Sequence, residues 1–207
     1  MNFYNRRVLP TLINFAMTRS EATRLRSANV TAARGVVVEV GIGSGLNVPF
    51  YSNRVTQLFG IDPSAELLAL ARAHTASAPF PIDLVHGSAE QIPCADASAD
   101  TVVVTWSLCS IANAPVALRE MRRVLKPGGT LIFVEHGLSP DRGVRKWQNL
   151  LTPLWRPLTG GCHLNRHIDR LISDAGFTIT ELRKGCVPGP CAFTYMYEGV
   201  AHRPCNE

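Results

Sequence analysis

An α/β sheet with crossover helices is the fold class predicted by this chain of 207 residues. Two observations carry that prediction. Short runs of β-formers alternate with segments of helical period, the pattern of parallel strands joined by crossovers. A glycine-rich turn, Gly-Ile-Gly-Ser-Gly at residues 41–45, directly follows the first of those runs. The composition agrees: 46% hydrophobic and 18% charged residues describe a globular chain, not a disordered one. The length suits a single domain that buries its own core.

Each element has its own signal. Gly-Val-Val-Val-Glu-Val (35–40) is a buried strand by its nearly continuous apolar run. Residues 55–61 form the second strand, followed by a helix from Pro63 to about Thr75 that either Asp62 or Ser64 can cap. The third strand lies at 81–87 and the fourth at 99–106. The next helix starts near Asn113 and Pro115 and carries Leu118, Met121 and Leu125 along one face. It is expected to stop at Pro127-Gly128-Gly129, before a fifth strand at 130–136. Residues 138–162 break the alternation with two tryptophans, three prolines and a glycine pair, and show no strand signal. A further helix, with Asn165 as its cap, spaces Ile168, Leu171, Ile172 and Ala175 at helical period and ends at Gly176. Residues 177–185 and 192–201 alternate as a late hairpin. Between them Cys-Val-Pro-Gly-Pro-Cys (186–191) reads as a turn with small buried residues rather than a redox pair.

Bulk properties narrow the function classes. The formal charge of +5 comes almost wholly from arginine, since Lys126, Lys146 and Lys184 are the only lysines. The arginines are scattered apart from a cluster in the first 34 residues, and no nucleic-acid-binding motif accompanies them. Six cysteines lack the density of a secreted disulfide scaffold. The opening Met-Asn-Phe-Tyr-Asn-Arg-Arg imitates an export signal, but Pro10 and Asn14 interrupt the apolar run behind it. No stretch reaches the roughly 18 apolar residues of a membrane span. The expected location is the cytoplasm, with contact at a membrane surface left open.

The glycine spacing decides against a dinucleotide. That fingerprint is G-x-G-x-x-G, whereas here the third glycine comes one residue early and Leu46 occupies its place. A P-loop is excluded because no G-K-[ST] follows. Glu39, two residues before Gly41, suits a ligand with a cationic amine better than one with two phosphates. Asp62, at the end of the second strand, can accept hydrogen bonds from ribose hydroxyls. Glycine loop, amine acceptor and ribose acid together match S-adenosylmethionine.

The segments VVVEVGIGSG, FGIDPS, HGSAEQIPCADASADTVVV and EMRRVLKPGG, in this order, resemble the motifs of class I S-adenosylmethionine-dependent methyltransferases. They look most like the ubiquinone/menaquinone-biosynthesis type, over roughly residues 35–136. The resemblance implies a Rossmann-like seven-stranded sheet with its last strand antiparallel, helices on both faces and a small cap after the fifth strand. The chain is expected to form a single domain over 1–207, with residues 1–34, outside the matched motifs, as a helical lid and 138–163 as the cap insertion. Residue by residue, Gly41, Gly43 and Gly45 would pass under the methionine portion, Glu39 would hold its amino group and Asp62 the ribose. Ser88 and Ala89 would edge the adenine, and Thr105 to Ser107 would complete the methionine pocket. Ser88 departs from the acid many relatives carry there; Glu90 is the neighbour that could compensate.

A second resemblance extends past the cofactor motifs. GLNVPFY, SLCSI, the Glu-His after the fifth strand, LTPLWRPLTGGCHLNR and YMYEGVA are similar to segments of animal alkyl-thiol methyltransferases. VGIGSGLNVPFY is similar also to bacterial phosphatidylethanolamine N-methyltransferases. The acceptor these resemblances imply is a small, fairly apolar molecule, with a thiol ahead of a phospholipid amine or a quinone precursor. A non-catalytic regulatory protein that binds S-adenosylmethionine is the alternative from another class. DNA amino-group methylation is not expected, because its Asn-Pro-Pro-aromatic signature is missing after the fourth strand.

Methyl transfer from a sulfonium is an in-line displacement, so the protein's chief tasks are alignment and exclusion of water. A neutral thiol needs a base, for which His136 and His163 are the candidates. Trp147, Leu150, Leu151, Leu154, Trp155 and Leu158 would line an apolar chamber for the acceptor, with Arg145, Arg156 and Arg166 at its margins. Tyr4 could close over the methyl donor, on a face shared with Phe3, Val8, Leu12 and Phe15. Cys162, His163 and His167 could be read as zinc ligands, but a fourth ligand is missing and an adjacent Cys-His pair cannot both point inward on a helix. No metal is expected. The sequence leaves the oligomeric state open.

Overall fold

The computed structural model describes residues 9–76 and 78–205; Tyr4 and its neighbours Phe3 and Val8 lie outside them. The strands in chain order are β1 (Gly35–Val40), β2 (Val55–Asp62), β3 (Ile82–His86), β4 (Ala99–Thr105), β5 (Leu125–His136), β6 (Thr178–Cys186) and β7 (Tyr195–His202). They form one sheet in the order β3-β2-β1-β4-β5-β7-β6. The first five are parallel, and β7 runs antiparallel between β5 and β6. The strand order reverses between β1 and β4, which opens a crevice at their carboxyl ends where ligands of such sheets bind.

Among the described residues, seven α-helices surround the sheet: α1 (Leu9–Met17), α2 (Ser20–Asn29), α3 (Ala65–Thr75), α4 (Ala114–Val124), α5 (Arg142–Leu158), α6 (Ile168–Asp174) and the short α7 (Cys191–Thr194). Ser64 Oγ accepts the Leu67 N–H and caps α3, while Asn113 Oδ1 does the same for Val116 of α4. Consecutive strand residues point to opposite faces. Thus Val38, Val102 and Phe133 meet Leu118 and Met121 of α4 and Ile168 of α6, whereas Val37, Val103 and Ile132 pack with Leu58 and with Leu68 of α3. Both faces are covered, which is why the strands read as unbroken apolar runs.

Three expectations need correction. First, α4 stops at Val124 and Leu125 already belongs to β5, paired with Ala99 of β4. Pro127-Gly128-Gly129 therefore lies inside a bulged strand and does not end the helix. Arg203 supplies the physical reason: its Nη1 donates to the carbonyls of Arg122, Arg123 and Leu125, closing the helix end from outside. Second, Cys186 and Cys191 are joined as a disulfide across the turn between β6 and α7, not two small buried residues.

Third, the cap is a 17-residue helix, α5, and most of its apolar residues face outward, while Val144, Trp147 and Leu151 line an open apolar cavity of about 370 Å³ with Pro190, Cys191, Ala192 and Phe193. Trp147, Leu150, Leu154 and Leu158 are 58%, 62%, 70% and 58% exposed. The side turned inward carries Gln148 and Thr152. Gln148 Nε2 donates to the Gly137 carbonyl and its Oε1 accepts the Ser139 N–H, which bolts α5 to the end of β5. Trp155 rests on Phe193 of α7, with ring centroids 4.8 Å apart.

The exposed edge strand β6 places Glu181, Arg183 and Lys184 where a second sheet could otherwise add. Its partner β7 needs Gly199, where a Cβ would run into the Glu181 carbonyl and the Phe133 ring. Gly199→Ala should therefore destabilise the chain by about 1–3 kcal/mol, read as a lower denaturation midpoint. An unchanged midpoint would show that β6 can move aside.

Candidate active site

The three glycines of the loop after β1 serve three different neighbours. A side chain at Gly41 would collide with Ser107, which follows β4. At Gly45 a Cβ would sit 3.3 Å from Ala71 of α3, so this glycine closes the loop onto a helix. Gly43 alone faces open space. All three have positive φ, between 57° and 79°, a region that side chains disfavour. Asp62 organises the loop: its Oδ2 accepts the Gly43 N–H at 2.9 Å and its Oδ1 the Ser64 N–H at 2.8 Å. Burial pushes the Asp62 carboxyl up, against these two hydrogen bonds and the nearby His86.

Glu39 is fully buried at the end of β1. Asn47 Nδ2 donates to its Oε1 and Tyr51 Oη to its Oε2, both at 2.8 Å. Asn47 Nδ2 also donates to Thr105 Oγ1, tying the ends of β1 and β4 together across the crevice. Burial raises the Glu39 carboxyl to about 7, against its hydrogen bonds and the charge of Arg26. Arg26, on α2, is itself buried; desolvation lowers it to about 10, so it stays charged at neutral pH. Its guanidinium lies 4.9 Å from the centre of the Trp106 ring and donates through Nη1 to the Met17 carbonyl.

Two buried polar atoms in this set lack partners: the acceptor Asn47 Oδ1 and the donor Arg26 Nε. Unpartnered buried polar atoms are costly. Beside the Glu39 carboxylate, the pair is chemically complementary to the ammonium and carboxylate of an amino acid. Trp106 adds a second sign of a working site, because its φ of 49° is a strained value for a bulky residue.

Just after β3, Ser88 is exposed and Ala89, the other residue expected to edge the adenine, is buried. Glu90 has another partner: its Oε1 accepts the Asn113 N–H at the start of α4. On the side of the expected acceptor, Glu135 is fully buried in β5 and accepts the backbone N–H groups of Ser107, Leu108 and Cys109. Arg166 Nη1 donates to the Leu108 carbonyl, and Cys109 O accepts the His163 N–H.

The expected bases come out differently. His136 Nδ1 lies 3.7 Å from Cys162 Sγ. His163 is lowered to about 4, first by desolvation and then by the charges of Arg166 and Arg156; it is neutral near pH 7 and a poor proton acceptor. The sequence-based zinc trio does not assemble. Among the described residues, Cys162 converges instead with Cys109 and His136, while His167 is exposed.

Arg26, Asn47, Tyr51 and Glu135 were given no site role from sequence, and Trp106 entered only as part of the segment from Thr105 to Ser107. Asn47 and Tyr51 carried a usable signal, as polar residues in the turn directly after the glycine loop. Arg26 carried none: an arginine before the first strand looks like any solvated charge.

Comparisons with known proteins fit this geometry. A family model described as a methyltransferase domain matches residues 38–133. Thiol S-methyltransferase TMT1B of Rattus norvegicus is 31% identical over 164 residues, covering 77% of this chain and 67% of that protein. The chain thus spans about two thirds of that relative's length. Phosphatidylethanolamine N-methyltransferase of Cereibacter sphaeroides is 32% identical over 173 residues, or 78% of this chain and 80% of the relative. Geranyl diphosphate methyltransferase, solved in complex with SAM, shares the fold with a TM-score of 0.70 at 14% identity, over 93% of this chain and 88% of that one. From matched domain, matched relatives and a sheet whose one antiparallel strand is β7, the chain belongs to the S-adenosylmethionine-dependent methyltransferases.

Proposed function

We propose that this methyltransferase acts on a small, fairly apolar nucleophile, with a thiol as the first choice. In this proposal Glu39 and Asn47 hold the ammonium of S-adenosylmethionine and Arg26 its carboxylate. Asp62 holds the ribose, Gly43 lets the ligand approach the backbone, Ala89 edges the adenine with Ser88, and Thr105 closes the pocket. The two unpartnered buried atoms, Asn47 Oδ1 and Arg26 Nε, support the assignment. The bound cofactor supplies a methyl group on a positively charged sulfur.

Protonation gives a direct test. An ammonium needs Glu39 ionised, yet in the free chain its carboxyl titrates at about 7. Below that pH, binding must expel a proton, so affinity should fall by up to about tenfold per pH unit as pH drops below 7, and level off above it. Calorimetry between about pH 5 and 8 should show this slope in the wild type. Glu39→Gln should bind more weakly and without the slope, whereas Asp62→Asn should weaken binding and keep it. A flat wild-type profile would remove Glu39 from the ammonium contact.

The observation that favours a thiol is the electrostatic field at His163. Arg166 and Arg156 both oppose its protonation, and the same two charges would stabilise a thiolate bound beside them. A thiol that ionises in this field needs no protein base, which suits the weak basicity of His163. Methylation assays with labelled cofactor should then show turnover of alkyl thiols, retained in His163→Ala and reduced at least tenfold in Arg166→Gln. Methylation of a quinone precursor with no thiol turnover would overturn the acceptor.

A phospholipid amine is the second reading, favoured by the exposed apolar stripe of α5. No helix among the described residues is long and apolar enough to cross a membrane. An apolar stripe with Arg142, Lys146 and Arg156 on the same helix has the composition of one that lies on an anionic bilayer. The assay panel therefore includes vesicles of phosphatidylethanolamine with an anionic lipid. Methylated lipid, lost together with vesicle binding in a Trp147→Glu, Leu154→Glu variant, would replace the thiol.

The lid also takes a narrower form. Asn14 Oδ1 of α1 accepts the Ser44 Oγ–H at 2.6 Å, so α1 lies against the glycine loop. By contrast α2 is built into the body: Leu25 packs on Val134 and Met196, and Asn29 Nδ2 donates to Glu198. In this proposal α1, Leu9–Met17, closes over the cofactor, and the whole of 1–34 does not. Deleting residues 1–16, which keeps the Met17 carbonyl that Arg26 donates to, should cost on the order of 10–100-fold in turnover while the thermal midpoint barely moves. Full activity in the deletion would remove the lid.

A further inference from the structure

Cys109, His136 and Cys162 come from three separate elements: the loop after β4, the end of β5 and the turn after α5. Their ligand atoms all lie within 4.8 Å of one another, with Cys162 Sγ and His136 Nδ1 at 3.7 Å. Two ligands of one tetrahedral zinc ion, at bond lengths near 2.3 Å for sulfur and 2.0–2.1 Å for nitrogen, are separated by about 3.6 Å. The Cys162–His136 spacing already matches. Cys109 needs a side-chain adjustment on the order of 1 Å to join it.

The backbone around the three residues is set before any metal arrives. Glu135 takes the N–H groups of Ser107, Leu108 and Cys109, which fixes the Cys109 loop. On the other side, the His163 N–H donates to the Cys109 carbonyl and holds the following turn against it. Gly161 makes the approach possible: its φ is +101°, and a Cβ there would press on the Ser110 carbonyl at 3.1 Å. Both thiols are buried and His136 is half-buried, so the imidazole side is the way in. Charge also balances. Two thiolates, Glu135 and Arg166 sum to about two negative charges, which a divalent cation neutralises.

We propose that Cys109, His136 and Cys162 form a site for a zinc-class divalent metal. Two thiolates and an imidazole select soft and borderline metals over magnesium or calcium. Three protein ligands leave the fourth tetrahedral position free, the arrangement of a reactive rather than a purely structural zinc site. The site shares no residue with the proposed ammonium and ribose contacts and does not depend on which acceptor is methylated.

Cobalt(II) titrated into the reduced full chain is the probe. The expected result is one equivalent bound, with tetrahedral ligand-field bands and thiolate-to-cobalt charge transfer. Cys109→Ser, Cys162→Ser and His136→Ala should each weaken binding by more than the 10–100-fold typical of losing an outer partner. S-adenosylmethionine affinity, measured on each variant, reports that the fold survives. Absence of tetrahedral bands in the wild type would overturn the site, as would bands that persist in the Cys109→Ser, Cys162→Ser double variant. So would a Cys109–Cys162 disulfide found by mass mapping, if cobalt still fails to bind after its reduction.

Discussion

A single buried carboxylate, Glu135, holds the two halves of the site in register. It lies inside the sheet with no exposed surface, and it accepts three consecutive backbone N–H groups from the loop after β4. Such charge-assisted bonds are about twice as strong as neutral ones, and losing the acceptor would strand three buried donors at roughly 1–3 kcal/mol each. The loop it fixes reaches both ways. Ser107 packs under Gly41 on the cofactor side, and Cys109 faces His136 and Cys162 on the other. Trp106, just before it, is held in a backbone conformation that it would not adopt alone.

The cofactor half is built on a similar economy of groups. Glu39 and Asp62 are buried acids at the ends of adjacent strands, each satisfied mainly by the turn between them. Asp62 cannot be treated as a ligand contact only, since it also sets the height of the glycine loop. Nor are the glycines equivalent. Gly41 and Gly45 make room for protein, whereas Gly43 faces open space. A motif that looks uniform in sequence thus divides into two positions that pack against protein and one that faces open space.

Around the other half, in the proposed reaction, charge takes the place of a conventional base. Burial and two arginines keep His163 neutral, and His136 is turned toward sulfur. The helix expected to wall the acceptor shows Leu150, Leu154, Leu158 and much of Trp147 to the outside. Gln148 explains that reversal, because its amide bonds to Gly137 and Ser139 determine which side of α5 meets the body.

The sheet, its crossover helices and the cofactor loop were legible in the sequence because each rests on local pattern. Continuous apolar runs mark strands covered on both faces, Ser64 and Asn113 mark helix starts, and glycines at fixed spacing mark a turn with positive φ. The start of β5 was not legible, since the decisive contacts come from Arg203, far along the chain. The same holds for α5, whose two internal prolines argue against a helix until Asp141 and Gln148 find their partners. The grouping of Cys109, His136 and Cys162 is tertiary in the strictest sense. No spacing relates them, and only the packing of three loops at one end of the sheet brings two thiols and an imidazole together. Local chemistry is written in residue order, whereas the company a side chain keeps is decided by the burial and bonding of the whole fold.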